Sequence, residues 1–69
     1  MSETRGQRLK RIREQAGLTQ EELSRKAKVP LGTLRNLEQD HRPYPRVDTA
    51  ILIAHAVGKP VDEVFIVAK

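Results

Sequence analysis

Apolar residues recur three and four positions apart along most of the chain, which is the spacing of amphipathic α-helices. Glycines and prolines interrupt this pattern and divide it into five helical segments. The first segment runs from about Arg5 to Gln15 and ends at Gly17. Its predicted buried stripe consists of Leu9, Ile12 and Ala16. Because the chain has no repeat, linker or low-complexity tract, we predict a single all-α domain.

The clearest helix start in the sequence is at Thr19. Thr19 and Glu22 have the spacing of a capping box, in which each side chain accepts a hydrogen bond from the other residue's backbone amide. Leu18 is positioned to pack against Leu23 as a hydrophobic staple, and Leu23 with Ala27 marks one apolar face. These features predict a second helix that begins directly after Thr19.

Val29-Pro30 separates this second helix from a third. Proline disfavours helical geometry in the residue before it, while its fixed φ suits the first turn of a new helix. Leu34 and Leu37 then resume the apolar stripe. Two short helices joined by a tight turn form a helix-turn-helix, the unit that places its second helix in the major groove of DNA.

A polar segment with two prolines, from Glu38 to Pro45, is predicted as the long loop before the fourth helix. Asp48 or Thr49 is predicted to cap that helix and Gly58 to end it. Pro60 is predicted to begin a short fifth helix. The apolar positions of the fourth helix are Ala50, Ile51, Ile53, Ala54 and Val57.

An ordered set of residues along the chain resembles the Cro and phage-repressor-like (XRE-type) helix-turn-helix regulators. The resemblance covers nearly the whole chain and implies a compact five-helix DNA-binding domain over residues 1–69, with the helix-turn-helix at helices two and three. The matching positions are Leu9, Ile12-Arg13, Gly17-Leu18-Thr19-Gln20, Glu22-Leu23, Leu34, Leu37-Glu38, Pro45, Ile53-Ala54, Ala56-Val57-Gly58 and Val61-Asp62-Glu63-Val64-Phe65.

Composition and charge agree with a small DNA-binding protein. The 69 residues include no cysteine, which excludes disulfides and thiolate metal sites and fits a reducing compartment. The net charge is +4, and the basic excess lies before residue 47, on the helix-turn-helix side. No segment is apolar enough for a membrane span and the N-terminus is too polar for a signal peptide, so we expect a cytoplasmic protein.

The resemblance places the base-contacting positions at the start and along the exposed face of helix three. Leu31 and Gly32 have no side-chain hydrogen-bonding groups, unlike the polar residues of many relatives, so conventional readout is weakened there. Leu31 can contact a thymine methyl group, whereas Asn36 can bond adenine bidentately. The expected base-contacting residues are Leu31, Gly32, Thr33, Arg35 and Asn36.

A second group of residues is expected to contact DNA phosphates. Gln20 begins helix two, where unpaired amides and the positive end of the helix dipole favour an anion. Arg42 and Arg46 flank the proline-containing loop, and Tyr44 between them either packs on the sugar-phosphate edge or covers the core. Lys28 and Asp40 occupy positions where relatives often have glycine, so a left-handed backbone is expected at both. The expected phosphate-contacting residues are Gln20, Lys28, Arg42, Tyr44 and Arg46.

Two structural roles complete the sequence interpretation. Arg13 and Glu38 are expected to form an ion pair that ties helix one to helix three, as in similar proteins. The apolar face of helix four does not explain Leu52 and His55, which are neighbours at positions that relatives usually fill with polar residues, and Phe65-Ile66-Val67 adds apolar groups at the C-terminus. We predict a homodimer through Leu52, His55, Phe65, Ile66 and Val67, with residues 61–69 as a dimerising tail; a frayed end is the alternative.

Enzyme activity is not expected from this sequence. His41 and His55 lie on different elements without cysteine or a matching acidic group, so a catalytic or metal site lacks parts, and no cofactor or small-molecule ligand is predicted. The predicted function is a DNA-binding transcriptional regulator, a repressor that binds a two-half-site operator as a homodimer. A protein-interaction adaptor or an antitoxin-type module, with a protein partner, is the alternative that the apolar tip Leu31-Gly32 supports.

Overall fold

Two helices of the computed structural model begin with the same capping box. The structure describes residues 2–41 and 45–65. Within these ranges the helices are α1 (Arg5–Gln15), α2 (Gln20–Ala27), α3 (Leu31–Glu38), α4 (Val47–Val57) and α5 (Val61–Val64). The Thr19 hydroxyl accepts from the Glu22 amide at 3.0 Å, and the Glu22 carboxylate accepts from the Thr19 amide at 2.8 Å. The predicted capping box of α2 is therefore confirmed, and Thr4 with Gln7 forms the equivalent box at α1.

Each helix contributes one large, fully buried side chain to a common core. Burying a side chain of this size stabilises the fold by about 1.5–3 kcal/mol. Helix α1 packs on α3 and α5, α2 packs on α3 and α4, and α4 packs on α5. The all-α, five-helix architecture predicted from the sequence is confirmed. The five side chains are Leu9, Leu23, Leu34, Ile53 and Val64.

The turns use the backbone conformations expected from the sequence. Lys28 and Asp40 have φ values of 58° and 62°, and Gly17 and Gly58 have φ values of 76° and 75°. A left-handed backbone costs a residue with a Cβ roughly 1–2 kcal/mol, although aspartate tolerates it better than lysine. The turn between α2 and α3 is held by the Ser24 hydroxyl, which donates to the Val29 carbonyl at 2.5 Å.

The buried face of α4 differs from the prediction. Helix α4 begins at Val47, with Arg46 as a cap that makes no side-chain hydrogen bond, so neither Asp48 nor Thr49 caps it. Ile51 is 51% exposed, whereas Ala56 is 6% exposed and lies in the core. Ala50, Ile53 and Ala54 are buried as predicted. The core face of α4 thus consists of three alanines and Ile53, and it packs on α2 and α5 while Ile51 lies outside it.

Two other burial predictions need correction. Ala16 is exposed, because it is the C-cap of α1 and lies where the chain turns away from the core. Phe65, predicted at a dimer interface, is 6% exposed and belongs to the core of the single chain. Its backbone amide donates to the Val61 carbonyl at 2.8 Å, which continues the hydrogen bonding of α5 to this residue. Phe65 therefore has little surface to offer a partner.

The start of α1 lies directly on the end of α3. A Cβ added to Gly6 would lie 2.3 Å from the Glu38 carbonyl oxygen, so only glycine fits this contact. Asp40 completes the junction: its carboxylate accepts from the Thr4 hydroxyl at 2.6 Å and from the Gly6 amide at 2.8 Å. These hydrogen bonds lower the pKa of Asp40, the bond from Thr4 most strongly. Asp40, two residues after the end of α3, thus binds the start of α1.

Candidate nucleic-acid interface

Helix α3 is amphipathic, and its outer face carries the predicted base-contacting residues. Leu34 and Leu37 are buried against the other helices and fix which side of α3 faces outwards. On the outer side, Gly32 and Arg35 are exposed, and the remaining predicted base-contacting residues are half-buried. These three are Leu31, Thr33 and Asn36.

The orientation of α3 is set by a buried ion pair at its last residue. Arg13 Nε donates to Glu38 Oε2 at 2.6 Å, and Arg13 Nη2 donates to Glu38 Oε1 at 3.1 Å. The two side chains are 8% and 3% exposed. Arg13 Nη1 also donates to the Leu18 carbonyl at 2.8 Å, and the hydrogen bonds to Glu38 raise the pKa of Arg13. The guanidinium therefore joins α1, the start of the helix-turn-helix and the end of α3.

Gln20 extends this network to the start of α2. Its side-chain Nε2 donates to Glu38 Oε1 at 3.1 Å, so one carboxylate holds side chains from α1 and α2. Every buried side-chain polar atom in the described ranges has a hydrogen-bond partner. A satisfied buried network of this kind fixes geometry, because any displacement leaves a polar group without its partner.

An open cleft of about 450 Å³ lies beside Gln20. Lys10, Gln20 and Gln39 bring side chains from α1, α2 and the residue after α3 to its wall. Its two acidic residues have basic neighbours: Glu38 binds Arg13, and Glu21 lies 4.0 Å from Arg35 Nη2. Arg13 neutralises Glu38, so Lys10, Gln20 and Gln39 supply the ammonium and amide groups of the cleft that can bind an anion, whereas Glu21 disfavours one.

The other predicted phosphate-contacting residues are more dispersed. Lys28 is exposed at the turn that links α2 to α3. Arg46 is exposed before α4, with Nε 3.7 Å from Asp48 Oδ1. Arg42 and Tyr44 lie outside the described residues. Gln20 therefore contacts Glu38 at the end of α3, whereas Lys28 and Arg46 lie on the surface.

The residues predicted at the dimer interface differ in their exposure. Leu52 and His55 are exposed on α4, whereas Phe65 is buried. Ile66 and Val67 lie outside the described residues.

Sequence reasoning missed several residues that position the interface. Gly6 and Asp40 join α1 to α3, and their contacts link positions more than thirty residues apart. Gln39, at the cleft beside Gln20, was also missed. No local signal could have found the partners of Asp40, because its carboxylate binds Thr4 and Gly6, which lie far away in the sequence.

Comparison with protein families identifies the chain. A helix-turn-helix family model matches residues 9–64, which contain α2, the turn and α3 in full. The chain belongs to this family, the Cro and phage-repressor (XRE) type of helix-turn-helix. It is therefore a DNA-binding helix-turn-helix regulator. Neither the comparison with curated proteins nor the comparison with solved structures gives a match.

Two findings bear on other classes of activity. Among the side chains of residues 2–41 and 45–65, no cluster of histidine and acidic groups has the arrangement of a metal site. No helix in the described part of the chain is long and apolar enough to cross a membrane.

Proposed function

We propose that this protein is a sequence-specific transcriptional repressor that binds a two-half-site operator as a homodimer. The observation that carries the proposal is the anchoring of α3. Its outer face is open while its last residue, Glu38, is held by Arg13 and Gln20. A recognition helix must keep a fixed orientation for its side chains to meet base edges, and this network supplies that orientation.

Phosphate contacts position the protein on the duplex. Gln20, with Lys10 and Gln39 at the adjoining cleft, forms the phosphate-binding group nearest to α3. Lys28 and Arg46 contribute further positive charge, as does Arg42 on the basis of the resemblance, which also places Tyr44 on the sugar-phosphate edge. Such contacts fix register and carry no sequence information directly.

Base contacts come from the outer face of α3. Asn36 bonds adenine, and Arg35 reaches guanine once it leaves Glu21, which lies 4.0 Å away in the free protein. Leu31 contacts a thymine methyl group, Gly32 lets the backbone approach the DNA, and Thr33 bonds either a base or the backbone. Two copies place their α3 helices about 34–36 Å apart, one turn of DNA. Bound there, the dimer represses by blocking access of the polymerase.

Selection of bound sites from random duplex DNA tests this proposal. A repressor of this kind enriches a sequence with twofold symmetry. In binding assays on the enriched duplex, Asn36→Ala lowers the preference over a scrambled duplex by about 5- to 150-fold. Gln20→Ala weakens binding to both duplexes, because it removes a phosphate contact, and it also removes one of the bonds that hold Glu38 at the end of α3. Lys10→Ala removes the lysine of the cleft and should likewise weaken binding to both duplexes. Lys59→Ala is its control, since Lys59 is exposed between α4 and α5 and pairs with Glu63.

The absence of any enriched sequence, together with equal binding of all duplexes by Asn36→Ala and the unmodified chain, would contradict sequence-specific readout. The apolar tip Leu31-Gly32 supports the alternative of a protein adaptor or antitoxin-type module. An adaptor shows no salt-dependent DNA binding and loses its protein partner when Leu31 is replaced by glutamate.

A further inference from the structure

Helix α4 has an apolar face that the described part of the chain does not cover. Val47 is 78% exposed, Ile51 is 51% exposed and Leu52 is 45% exposed. These are the large hydrophobic residues that stand out on the described surface, and all three belong to one helix of 11 residues. Isolated exposed leucines are ordinary, but three neighbouring apolar side chains on one helix indicate an interaction surface.

The exposed positions of α4 share one side of the helix. Asp48 and His55 are exposed beside the apolar residues, while the opposite side packs on α2 and α5. With 3.6 residues per turn, Asp48, Ile51, Leu52 and His55 form a continuous strip two turns long. The polar residues lie at the two ends of this strip and the apolar residues lie in the middle.

We propose that this strip binds the same strip of a second copy, so that the two α4 helices form an antiparallel pair. This inference rests on the homodimer of the proposed function and assigns its interface. A twofold axis between Ile51 and Leu52 places Ile51 opposite Leu52 of the partner subunit. The same axis places Asp48 opposite His55 of the partner subunit, so one operation aligns both the apolar and the polar groups.

The polar ends of the strip are complementary. The contacts of Asp48 with the Thr49 amide, at 2.9 Å, and with Arg46 Nε, at 3.7 Å, both use Oδ1. Oδ2 can therefore accept from an imidazole N–H, and histidine has an N–H donor in both of its protonation states. Two such bonds form per dimer. This self-complementarity favours a second copy over an unrelated apolar partner.

The interface is small, because an 11-residue helix is roughly 16 Å long. We expect weak self-association in free solution and tighter association on DNA, where binding of both half-sites raises the effective concentration of the partner. Phe65 takes no part, since it is buried within each chain.

Sedimentation equilibrium of the full chain up to high micromolar concentration tests the pair. We expect a monomer–dimer equilibrium for the unmodified chain and a monomer for Ile51→Glu and Leu52→Glu. Gln15→Glu, which adds the same charge at an exposed position on α1, is the control and stays dimeric. Circular dichroism establishes that each variant is folded, as expected for exposed positions. A monomeric unmodified chain, or dimeric glutamate variants, would overturn the interface.

A charge exchange tests the register. Asp48→Lys alone and His55→Asp alone each weaken the dimer by roughly fivefold or more. The first removes the acceptor of the His55 N–H, and the second places one carboxylate opposite another. The double variant Asp48→Lys/His55→Asp restores it, since the opposite charges face each other again. If the double variant is no better than the single variants, the antiparallel pairing is wrong.

The same variants separate this inference from the proposed function. On a duplex that carries one half-site, Leu52→Glu binds like the unmodified chain, because α3 is unchanged. If the chain dimerises through α4 but binds no DNA, the proposed repressor function is wrong and the α4 interface is supported. If both the unmodified chain and Leu52→Glu bind a two-half-site duplex as dimers, the proposed repressor function is supported and the α4 interface is wrong.

Discussion

The junction of α1 with α3 and the outer side of α4 are built on different principles. At the junction, α1 is held on α3 by the Arg13–Glu38 ion pair and by the hydrogen bond from Thr4 to the Asp40 carboxylate. Gly6 also lies in close contact with the Glu38 carbonyl. Helix α4 has no side-chain cap and is held by apolar burial on one side alone. Directional contacts therefore fix how α1 meets α3, whereas the outer side of α4 is an exposed apolar surface that no described residue covers.

The largest effect is expected from breaking the buried ion pair. Arg13→Leu leaves the Glu38 carboxylate buried without its cation and destabilises the fold by about 3–5 kcal/mol. Arg11→Leu removes an arginine of the same helix whose partner, Glu3, is exposed, so its cost should be far smaller, because exposed ion pairs contribute little. Urea denaturation of both variants measures the difference. Equal costs would contradict the anchoring role of Arg13.

The two isoleucines of α4 provide the next contrast. Ile53 is fully buried, so Ile53→Ala lowers the free energy of unfolding by about 2–5 kcal/mol. Ile51 is half exposed, so Ile51→Ala changes monomer stability by only about 0.5 kcal/mol. Thermal unfolding at low protein concentration, where the chain is monomeric, compares them. A large loss for Ile51→Ala in the monomer would show that this side of α4 is covered by the chain itself.

Gly6→Ala tests the contact between α1 and α3. Alanine is normally the better residue within a helix by roughly 0.5–1 kcal/mol, so a gain is expected wherever space allows it. Here the added Cβ would lie 2.3 Å from a backbone oxygen, so we expect a loss of about 1–3 kcal/mol in chemical denaturation. Gly32→Ala is the control, because an added Cβ there has no neighbour within 4 Å. A gain at both positions would mean that α1 sits farther from α3.

Lys28→Gly is expected to separate stability from DNA binding. Glycine removes the cost of the left-handed backbone and stabilises the fold by about 1 kcal/mol. The same change removes an exposed positive charge near the proposed DNA surface and weakens binding. Thermal unfolding and DNA titration of one sample measure both effects. Unchanged DNA affinity would refute a phosphate contact by Lys28.

Acid titration tests the cap that Asp40 places on α1. The pKa of Asp40 is lowered in the folded chain by the bonds from Thr4 and Gly6, so its contribution is present above the unfolded pKa. That contribution is lost as the pH falls through the lowered folded pKa. Asp40→Asn keeps tolerance of the left-handed backbone and lacks the titration. The variant should lose less stability than the unmodified chain on acidification, and equal losses would refute the cap.

Local signals were sufficient to predict most helix boundaries. The Thr19 capping box, Pro30, Gly58 and Pro60 act within a few residues of the chain, and each lies where it was expected. The left-handed backbone at Lys28 and Asp40 was likewise foreseen, because turn geometry is local.

Contacts between distant segments could not be predicted in the same way. The Asp40 cap and the fit of Gly6 depend on how α1 meets α3, which no spacing records. Helix α4 is apolar around most of its circumference, so periodicity could not decide between Ile51 and Ala56 for the core. Packing against α2 and α5 buries Ala56 and leaves Ile51 exposed.

Salt dependence of DNA affinity is the most direct test of the central claim that this anchored helix-turn-helix binds duplex DNA through phosphate and base contacts. For a protein that neutralises about 6–10 phosphates, affinity for the selected duplex should fall by roughly 1,000-fold or more between 50 and 200 mM salt. An affinity that is independent of salt, or no measurable binding at the lower concentration, would contradict the account.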